Sequence, residues 1–518
     1  MAEKFRVTYA TLTADNEDMH VAYEAGIETA RGWLGAEIAA PGDDSPGDPV
    51  EVTSPADPAV VIARVRAASP AAIEKAMEDA RAAAPEWAGR SWQDRMAVIR
   101  KVGDLISEYS NELAALVTME VGKNRLEALG DVEEAAVFFR YYADQMEANE
   151  GYDRPMDSLT AAEKTRSVLK PHGVWAVIAP FNFPAALAAG PAAAALLTGN
   201  TVVLKPSVQG SHTAWRIYQI LLKAGVPEGA VQFLPGGDEV GKAVVGHREV
   251  DGITFTGSYA VGMSILRDST AAGYPKPVVA EMGGKNPTIV AASADLDKAA
   301  QGVARSAFGF SGQKCSACSR VYVDASVHDE FLAKLAAKAE EVTPADPLER
   351  DTFMGPVIDA DAVARFEKAV NHARESGRVV AGGEVLQGTD GFPGHYVQAT
   401  VVGNLRSDDW LFAEELFVPF VAVTAVDSLD EAMARANETP LGLTAGFFSG
   451  DDAEIDWFLD TIHAGVVYVN RPAGATTGAW PGVQPFGGWK GSGSSGKAGG
   501  GLYYLGLYLR EQSQSVVS

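Results

Sequence analysis

Apolar positions recur at a spacing near 3.6 between residues 70 and 147, first in Ala71-Ala72-Ile73-Glu74-Lys75-Ala76-Met77-Glu78-Asp79-Ala80 and again from Met96 to Val117, and this predicts packing helices. The pattern then changes. Thr165 to Pro180 reads as two extended runs divided by Pro171-His172-Gly173, and the second leads through Phe181-Asn182-Phe183-Pro184 into a small-residue helix from Ala185 to Leu197. A strand at Thr201–Lys205, a helix from about His212 to Ala224, a strand at Val231–Leu234, a short helix near Val240 to Val245 and a strand within Gly252–Ser258 follow. Strand and helix alternating in this way predict an α/β fold with a parallel sheet and crossover helices. Ligands of such sheets bind beyond the carboxyl ends of the strands, so Asn182, Lys205 and Ser258 are expected along one edge.

From about residue 286 the alternation restarts, with strands at Pro287–Val290 and Arg320–Val323, helices at Leu296–Ala307, 328–340, 361–376 and 427–437, and apolar strands at 443–448 and 465–469. A second α/β domain is the natural reading. The glycine-rich stretch from Gly487 to Gly501 reads as irregular. Tyr503-Tyr504-Leu505-Gly506-Leu507-Tyr508-Leu509 reads as an apolar, alternating strand that needs cover from another subunit.

Length and composition narrow the class. A chain of 518 residues can bury a substantial core in two or three domains, and 47% hydrophobic content with 53 Gly and 27 Pro suits α/β architecture with short loops. No apolar run approaches a membrane span, and Met1-Ala2-Glu3-Lys4-Phe5 opens on polar sequence without a signal-like segment, so a cytoplasmic location is expected. The formal charge of -25, from 68 acidic and 43 basic residues, repels phosphate backbones and argues against a nucleic-acid partner.

Both cysteines of the chain fall in one turn, Gly309-Phe310-Ser311-Gly312-Gln313-Lys314-Cys315-Ser316-Ala317-Cys318. Two small buried hydrophobes would account for them. Two thiols cannot complete a structural zinc site, and no His stands nearby at ligand spacing, so no metal is expected. A Cys-x-x-Cys redox pair is usually found at a strand-to-helix start in a small reductase-like domain, which this turn is not. A nucleophilic thiolate is the sharper reading, and it requires a base and an oxyanion site. No Gly-x-Gly-x-x-Gly follows any strand. The run Thr256-Gly257-Ser258-Tyr259-Ala260-Val261-Gly262 can set a helix start against a phosphate, or can simply be a cap.

Seven motifs stand in the order and spacing of the aldehyde dehydrogenase superfamily, which the chain resembles from about residue 45 onward. They are Phe181-Asn182-Phe183-Pro184, Leu204-Lys205-Pro206-Ser207, Phe255-Thr256-Gly257-Ser258, Glu281-Met282-Gly283-Gly284-Lys285-Asn286-Pro287, Gly312-Gln313-Lys314-Cys315, Glu414-Glu415-Leu416-Phe417 and Pro485-Phe486-Gly487-Gly488. The resemblance implies a Rossmann-type cofactor domain at 1–148 and 172–282, a catalytic domain at 283–484, and oligomerisation elements at 149–171, a β-flap, and 485–518. It implies Cys315 as nucleophile, Asn182 and the Cys315 backbone N–H as oxyanion donors, and Glu281 as the base that activates water for thioester hydrolysis. It also implies NAD as cofactor, with Lys205 and Glu415 on the two riboses, Ser207, Gly257 and Ser258 on the adenosine and pyrophosphate side, and Phe417 beside the nicotinamide ribose. Gln313 and Lys314 are read as turn residues.

Two departures from the family pattern bear on the cofactor. Val208 stands where many NAD-specific relatives place a glutamate on the adenine ribose, which makes NADP a second candidate. Val418 replaces the usual glycine after Phe417, and its β-branch disfavours a left-handed backbone there.

The far end resembles the subgroup that oxidises L-glutamate γ-semialdehyde, the open form of 1-pyrroline-5-carboxylate. The resemblance rests on Thr477-Gly478-Ala479, on Gly482 to Gly488 and on Ser495-Gly496-Lys497-Ala498-Gly499-Gly500, with support from Met119–Lys123, Glu133-Glu134 and Phe139–Ala143. Backbone N–H groups of Gly478 and Ala479 would take the substrate α-carboxylate, Ser316 would add a hydroxyl, and Phe183 and Phe486 would flank the aliphatic stem. Another semialdehyde or an aliphatic aldehyde is the alternative substrate. The partners implied are a small-molecule aldehyde supplied by a separate proline dehydrogenase, and further copies of the chain in a homodimer or larger assembly.

Overall fold

The computed structural model describes residues 13–271, 273–389, 391–473 and 480–517. The helical stretch predicted between 70 and 147 is four helices, Pro70–Gly89, Trp92–Glu108, Ser110–Val121 and Arg125–Ala148. Local chemistry sets the breaks. Ser69, Ser91 and Asn124 each accept a backbone N–H of the first turn that follows them, satisfying donors that would otherwise be left over. Gly122 ends the third helix in a left-handed conformation (φ 81°), and a Cβ there would lie 2.9 Å from the Pro356 ring.

Five parallel strands form one sheet in the spatial order Val278–Met282, Gly252–Gly257, Val174–Ala179, Thr201–Pro206, Val231–Phe233. The first strand in sequence, Val174–Ala179, therefore sits between the second and the fourth. At that switch point the connections leave to opposite sides and open a crevice beyond the strand ends. Helix Ser211–Ala224 covers this sheet with no side-chain cap of its own. The fully buried Glu120 supplies one from the Ser110–Val121 helix, accepting the N–H groups of Gly210, His212 and Thr213 at 2.8–3.0 Å and the Thr213 hydroxyl at 2.6 Å.

A second sheet has seven strands, ordered Arg378–Ala381, Thr400–Gly403, Phe420–Val426, Cys318–Asp324, Asn286–Val290, Thr444–Phe448, Val466–Val469, and only the first pair is antiparallel. A third sheet is an antiparallel arm in which Glu163–Pro171 lies between Asp153–Met156 and Leu509–Val517. Among the described residues no helix is long and apolar enough to cross a membrane.

One predicted element is wrong. Tyr503–Leu509 is not a strand. Leu505–Tyr508 is a single helical turn, and Tyr504, Leu505 and Tyr508 are buried in the main core. Apolar residues at i, i+1 and i+4 satisfy one face of such a turn as well as they satisfy an alternating strand, and the short run gives no length by which to choose. The edge-pairing strand is instead the polar segment that follows, Leu509–Val517. Helix Glu17–Arg31 and the small sheet of Ala36–Ile38, Val61–Arg66 and Pro49–Thr53 had no counterpart in the sequence reading.

Candidate active site

A cavity of about 1180 Å³ runs from the strand ends of the five-stranded sheet to the cysteine turn. That exceeds the usual volume for one small ligand and suits a dinucleotide together with a second molecule. Asn182, Phe183, Lys205, Ser207, Gly257, Ser258, Glu281, Cys315, Ser316, Glu415, Phe417 and Phe486 all line it. Gly478 and Ala479 lie outside the described residues.

The cysteine turn is held from several sides. Phe310 and Ser311 both adopt left-handed φ (48° and 54°), which costs conformational energy and needs support from the surroundings. The Ser311 hydroxyl donates to the Gly355 carbonyl at 2.7 Å. Gln313, fully buried, accepts the Ile358 N–H at 2.8 Å and donates to the Phe310 and Pro356 carbonyls. Lys314 is also buried and donates to Glu127 Oε1 at 2.5 Å. These two are therefore more than turn residues, and only the tertiary contacts reveal it. Beyond Lys314, the Asn286 amide donates to the carbonyls of Cys315 (2.7 Å) and Ala317 (2.9 Å). Gly284 is required beside them, since a Cβ there would meet the Asn286 amide and the Cys315 carbonyl.

Asn182 is buried and donates one amide hydrogen to the Gln313 carbonyl at 3.1 Å, which leaves its second N–H free for a ligand oxygen. Glu281 lies at the end of the Val278–Met282 strand, where the Gly488 N–H donates to its Oε2 at 3.0 Å. Burial pushes its carboxyl up to about 8. Burial also pushes the Cys315 thiol up to about 12, with the Glu415 and Glu281 carboxylates adding to the rise and backbone N–H groups of Cys315 and Ser316 opposing it. A nucleophilic thiolate at this position would need a base to take its proton, as the sequence reading required, and burial strengthens that need.

At the end of the cavity by the five-stranded sheet, Lys205 is buried at the end of its strand, and burial lowers its ammonium to about 8 against the pull of Asp238. Its Nζ has no hydrogen-bond partner among the described residues. Ser258 caps helix Tyr259–Asp268, so that first turn opens on the cavity. Glu415 accepts the Gly284 N–H at 2.9 Å, and burial raises its carboxyl to about 7. Phe417 meets Phe181 edge-on at 6.0 Å. The left-handed residue of this loop is Phe417 (φ 57°), not Val418, which is buried with its carbonyl against Gly312. The β-branch at 418 thus needs no strained backbone.

At the other end the wall comes from helix Arg125–Ala148, through Glu134, Phe138 and Tyr142. Glu134 has no hydrogen-bond partner among the described residues, and burial with help from Asp131 raises its carboxyl to about 8. Phe183 is fixed from behind by the buried Lys123 ammonium, 3.4 Å from its ring centroid, and Lys123 in turn pairs with Asp131 at 3.1 Å. Ser316 is buried next to the thiol, and Phe486 is tied to Gly499 by two backbone hydrogen bonds. Glu134 was legible only as helix text; its isolation in the cavity wall depends on which helix face turns inward.

A family model described as the aldehyde dehydrogenase family matches residues 43–513. A 1-pyrroline-5-carboxylate dehydrogenase of Anoxybacillus flavithermus is 37% identical over 504 residues, covering 95% of this chain and 96% of that one. A 1-pyrroline-5-carboxylate dehydrogenase from Thermus solved with bound NAD superposes with a TM-score of 0.93 at 32% identity over the whole of both chains. A γ-glutamyl-γ-aminobutyraldehyde dehydrogenase from Burkholderia cenocepacia gives 0.86 at 32% identity, covering 95% of this chain and 99% of its own.

Proposed function

The chain belongs to the aldehyde dehydrogenase family, and from that premise we propose that it oxidises L-glutamate γ-semialdehyde to L-glutamate with NAD. One observation carries the choice of substrate: the cavity that holds Cys315, Asn182 and Glu281 ends on Glu134, a carboxyl with no partner among the described residues. A simple aliphatic aldehyde gives such a group nothing to do. A substrate with an α-ammonium ionises it and pairs with it.

The residues divide the chemistry between them. The Cys315 sulfur adds to the aldehyde carbon, and the developing oxyanion lies between the free Asn182 N–H and the Cys315 backbone N–H. Glu281 is the base within the same cavity for the thiol proton and later for the water that hydrolyses the thioester. Bound dinucleotide supplies the hydride acceptor. Lys205, Ser207, Gly257, Ser258, Glu415 and Phe417 are the residues that hold it, and they suit it: an unpartnered ammonium, a helix start and a carboxyl line one trough. Ser316 and Phe486 flank the acyl chain, with Phe183 opposite, and the Gly478–Ala479 backbone is assigned to the α-carboxylate.

The five-stranded sheet is accordingly the cofactor-binding part and the seven-stranded sheet carries the nucleophile. The antiparallel arm is the assembly element. NADP is a second cofactor, because Val208 offers no charge against a 2′-phosphate. The experiment is initial rates on glutamate γ-semialdehyde, succinate semialdehyde and propanal, each with NAD and NADP. The reading requires the first substrate to have the highest kcat/KM, and a preference for propanal sinks it.

A further inference from the structure

Helix Arg125–Ala148 lines the cavity with Glu134, Phe138 and Tyr142, and Glu127 and Asp131 continue the same helix face toward its N-terminus, the five being spaced at i, i+4, i+7, i+11 and i+15. The polar residues of that face act on different parts of the site. Asp131 accepts from Lys123, which lies over the Phe183 ring, and from the Ala186 N–H at 2.8 Å. Glu134 faces the cavity. Glu127, one turn before Asp131, reaches the residue immediately preceding the nucleophile through its contact with Lys314. As a stabilising device this contact is poor. Both groups are largely buried, the second carboxylate oxygen, Glu127 Oε2, has no partner, and a buried pair with an unsatisfied acceptor loses much of its Coulombic gain to desolvation. Buried pairs of that kind are best attested as register devices.

The turn needs one. Two consecutive left-handed residues, Phe310 and Ser311, precede the nucleophile, and Ser311, Gln313 and Asn286 tie the turn to the 353–358 segment and to the strand floor. Among the hydrogen bonds of the described residues, Lys314–Glu127 alone ties the turn to the helix whose other residues line the substrate end.

We propose that Glu127 and Lys314 are positioning residues that aim the Cys315 side chain at the substrate carbon, so that nucleophile and substrate wall are registered from one helix. The proposal rests on Cys315 being the nucleophile. Lys314 directs its ammonium to Glu127, so its effect on the sulfur is geometric.

The test uses the full chain and two readouts on Lys314→Met, Glu127→Gln and Lys314→Arg: kcat against KM with glutamate γ-semialdehyde, and the rate at which iodoacetamide alkylates Cys315, followed by peptide mass spectrometry with NAD present. Misplacement of a reacting atom by about 1 Å costs on the order of 100-fold, so Lys314→Met and Glu127→Gln are expected to lose about 10- to 100-fold in kcat with little change in KM, and to alkylate more slowly. Lys314→Arg folds with its charge in place and recovers most of that loss. Normal alkylation and kcat in either neutral variant, or an Arg variant no better than Met, overturns the positioning role alone. A Cys315→Ala enzyme that still turns over removes the nucleophile reading and the proposal with it.

Discussion

At the scale of single residues, burial brings the carboxyls of Glu134, Glu281 and Glu415 and the ammonium of Lys205 toward about 7–8, while it pushes the Cys315 thiol up to about 12. Glu281 must be ionised to act as a base, so with its carboxyl near 8 the rate of thioester hydrolysis should rise with pH to a plateau above about 8. Glu281→Gln is expected to abolish that limb and to accumulate acyl-enzyme detectable by mass spectrometry after quenching; an unchanged pH–rate profile would refute the assignment. The same shift has a stability consequence of opposite sign. A carboxyl raised from 4.5 to about 8 binds its proton more tightly in the folded state, so its contribution is full below 4.5 and is lost as pH rises toward 8. The Gln variant should therefore melt higher than wild type above pH 8, while being far less active. Glu134 separates substrates. Glu134→Gln should raise KM for glutamate γ-semialdehyde by roughly 10-fold or more, the effect of losing a partner for a desolvated charge, and leave glutarate semialdehyde, which lacks the ammonium, almost unaffected. Equal losses on both would show that Glu134 serves the fold.

Elements explain why those residues meet, and how much of the meeting could be read from the chain. The alternation of strands and helices from Val174 to Gly257 was plain in the sequence because buried parallel strands leave short apolar runs, and the strand ends then carry the polar residues; the fifth strand of that sheet, Val278–Met282, was not read as an element. Asn182, Lys205, Glu281 and Cys315 were legible for that reason and through the motifs around them. Gln313, Lys314 and Glu134 were not, because their roles depend on partners such as Ile358 and Glu127, and on which helix face turns inward. The Tyr504–Tyr508 turn was misread because seven residues cannot distinguish two periodicities. Glu120 is the element-scale case: one carboxylate replaces the missing cap of helix Ser211–Ala224. Glu120→Ala leaves three buried N–H groups without an acceptor and should cost about 2–4 kcal/mol by denaturant unfolding. A change below about 0.5 kcal/mol would mean that the helix start is satisfied in some other way.

For the whole molecule, the question is what the antiparallel arm does away from the two large sheets. Among the described residues its outer strands, Leu509–Val517 and Asp153–Met156, each have one edge without a partner strand, and it exposes Leu159, Val516, Val517 and Met156, at 94%, 64%, 73% and 58%. An open, partly apolar sheet edge is a pairing site for another chain unless charge or proline blocks it. Pro155 blocks part of one edge, whereas Leu509–Val517 contains no proline and only Arg510 and Glu511 as charged residues. The -25 charge keeps encounters between copies repulsive over long range, so contact has to come from a localised surface rather than from general stickiness. The 509–517 strand pairs with Glu163–Pro171 along its full length and follows directly on the Tyr504–Tyr508 turn, whose Tyr504, Leu505 and Tyr508 are buried in the main core. Light scattering on the full chain should give at least twice the 54.5 kDa chain mass, and truncation after Tyr508 should give the single-chain mass with the five-stranded sheet still able to bind NAD. A full-length chain that stays at 54.5 kDa at micromolar concentration would take the assembly role away from the arm.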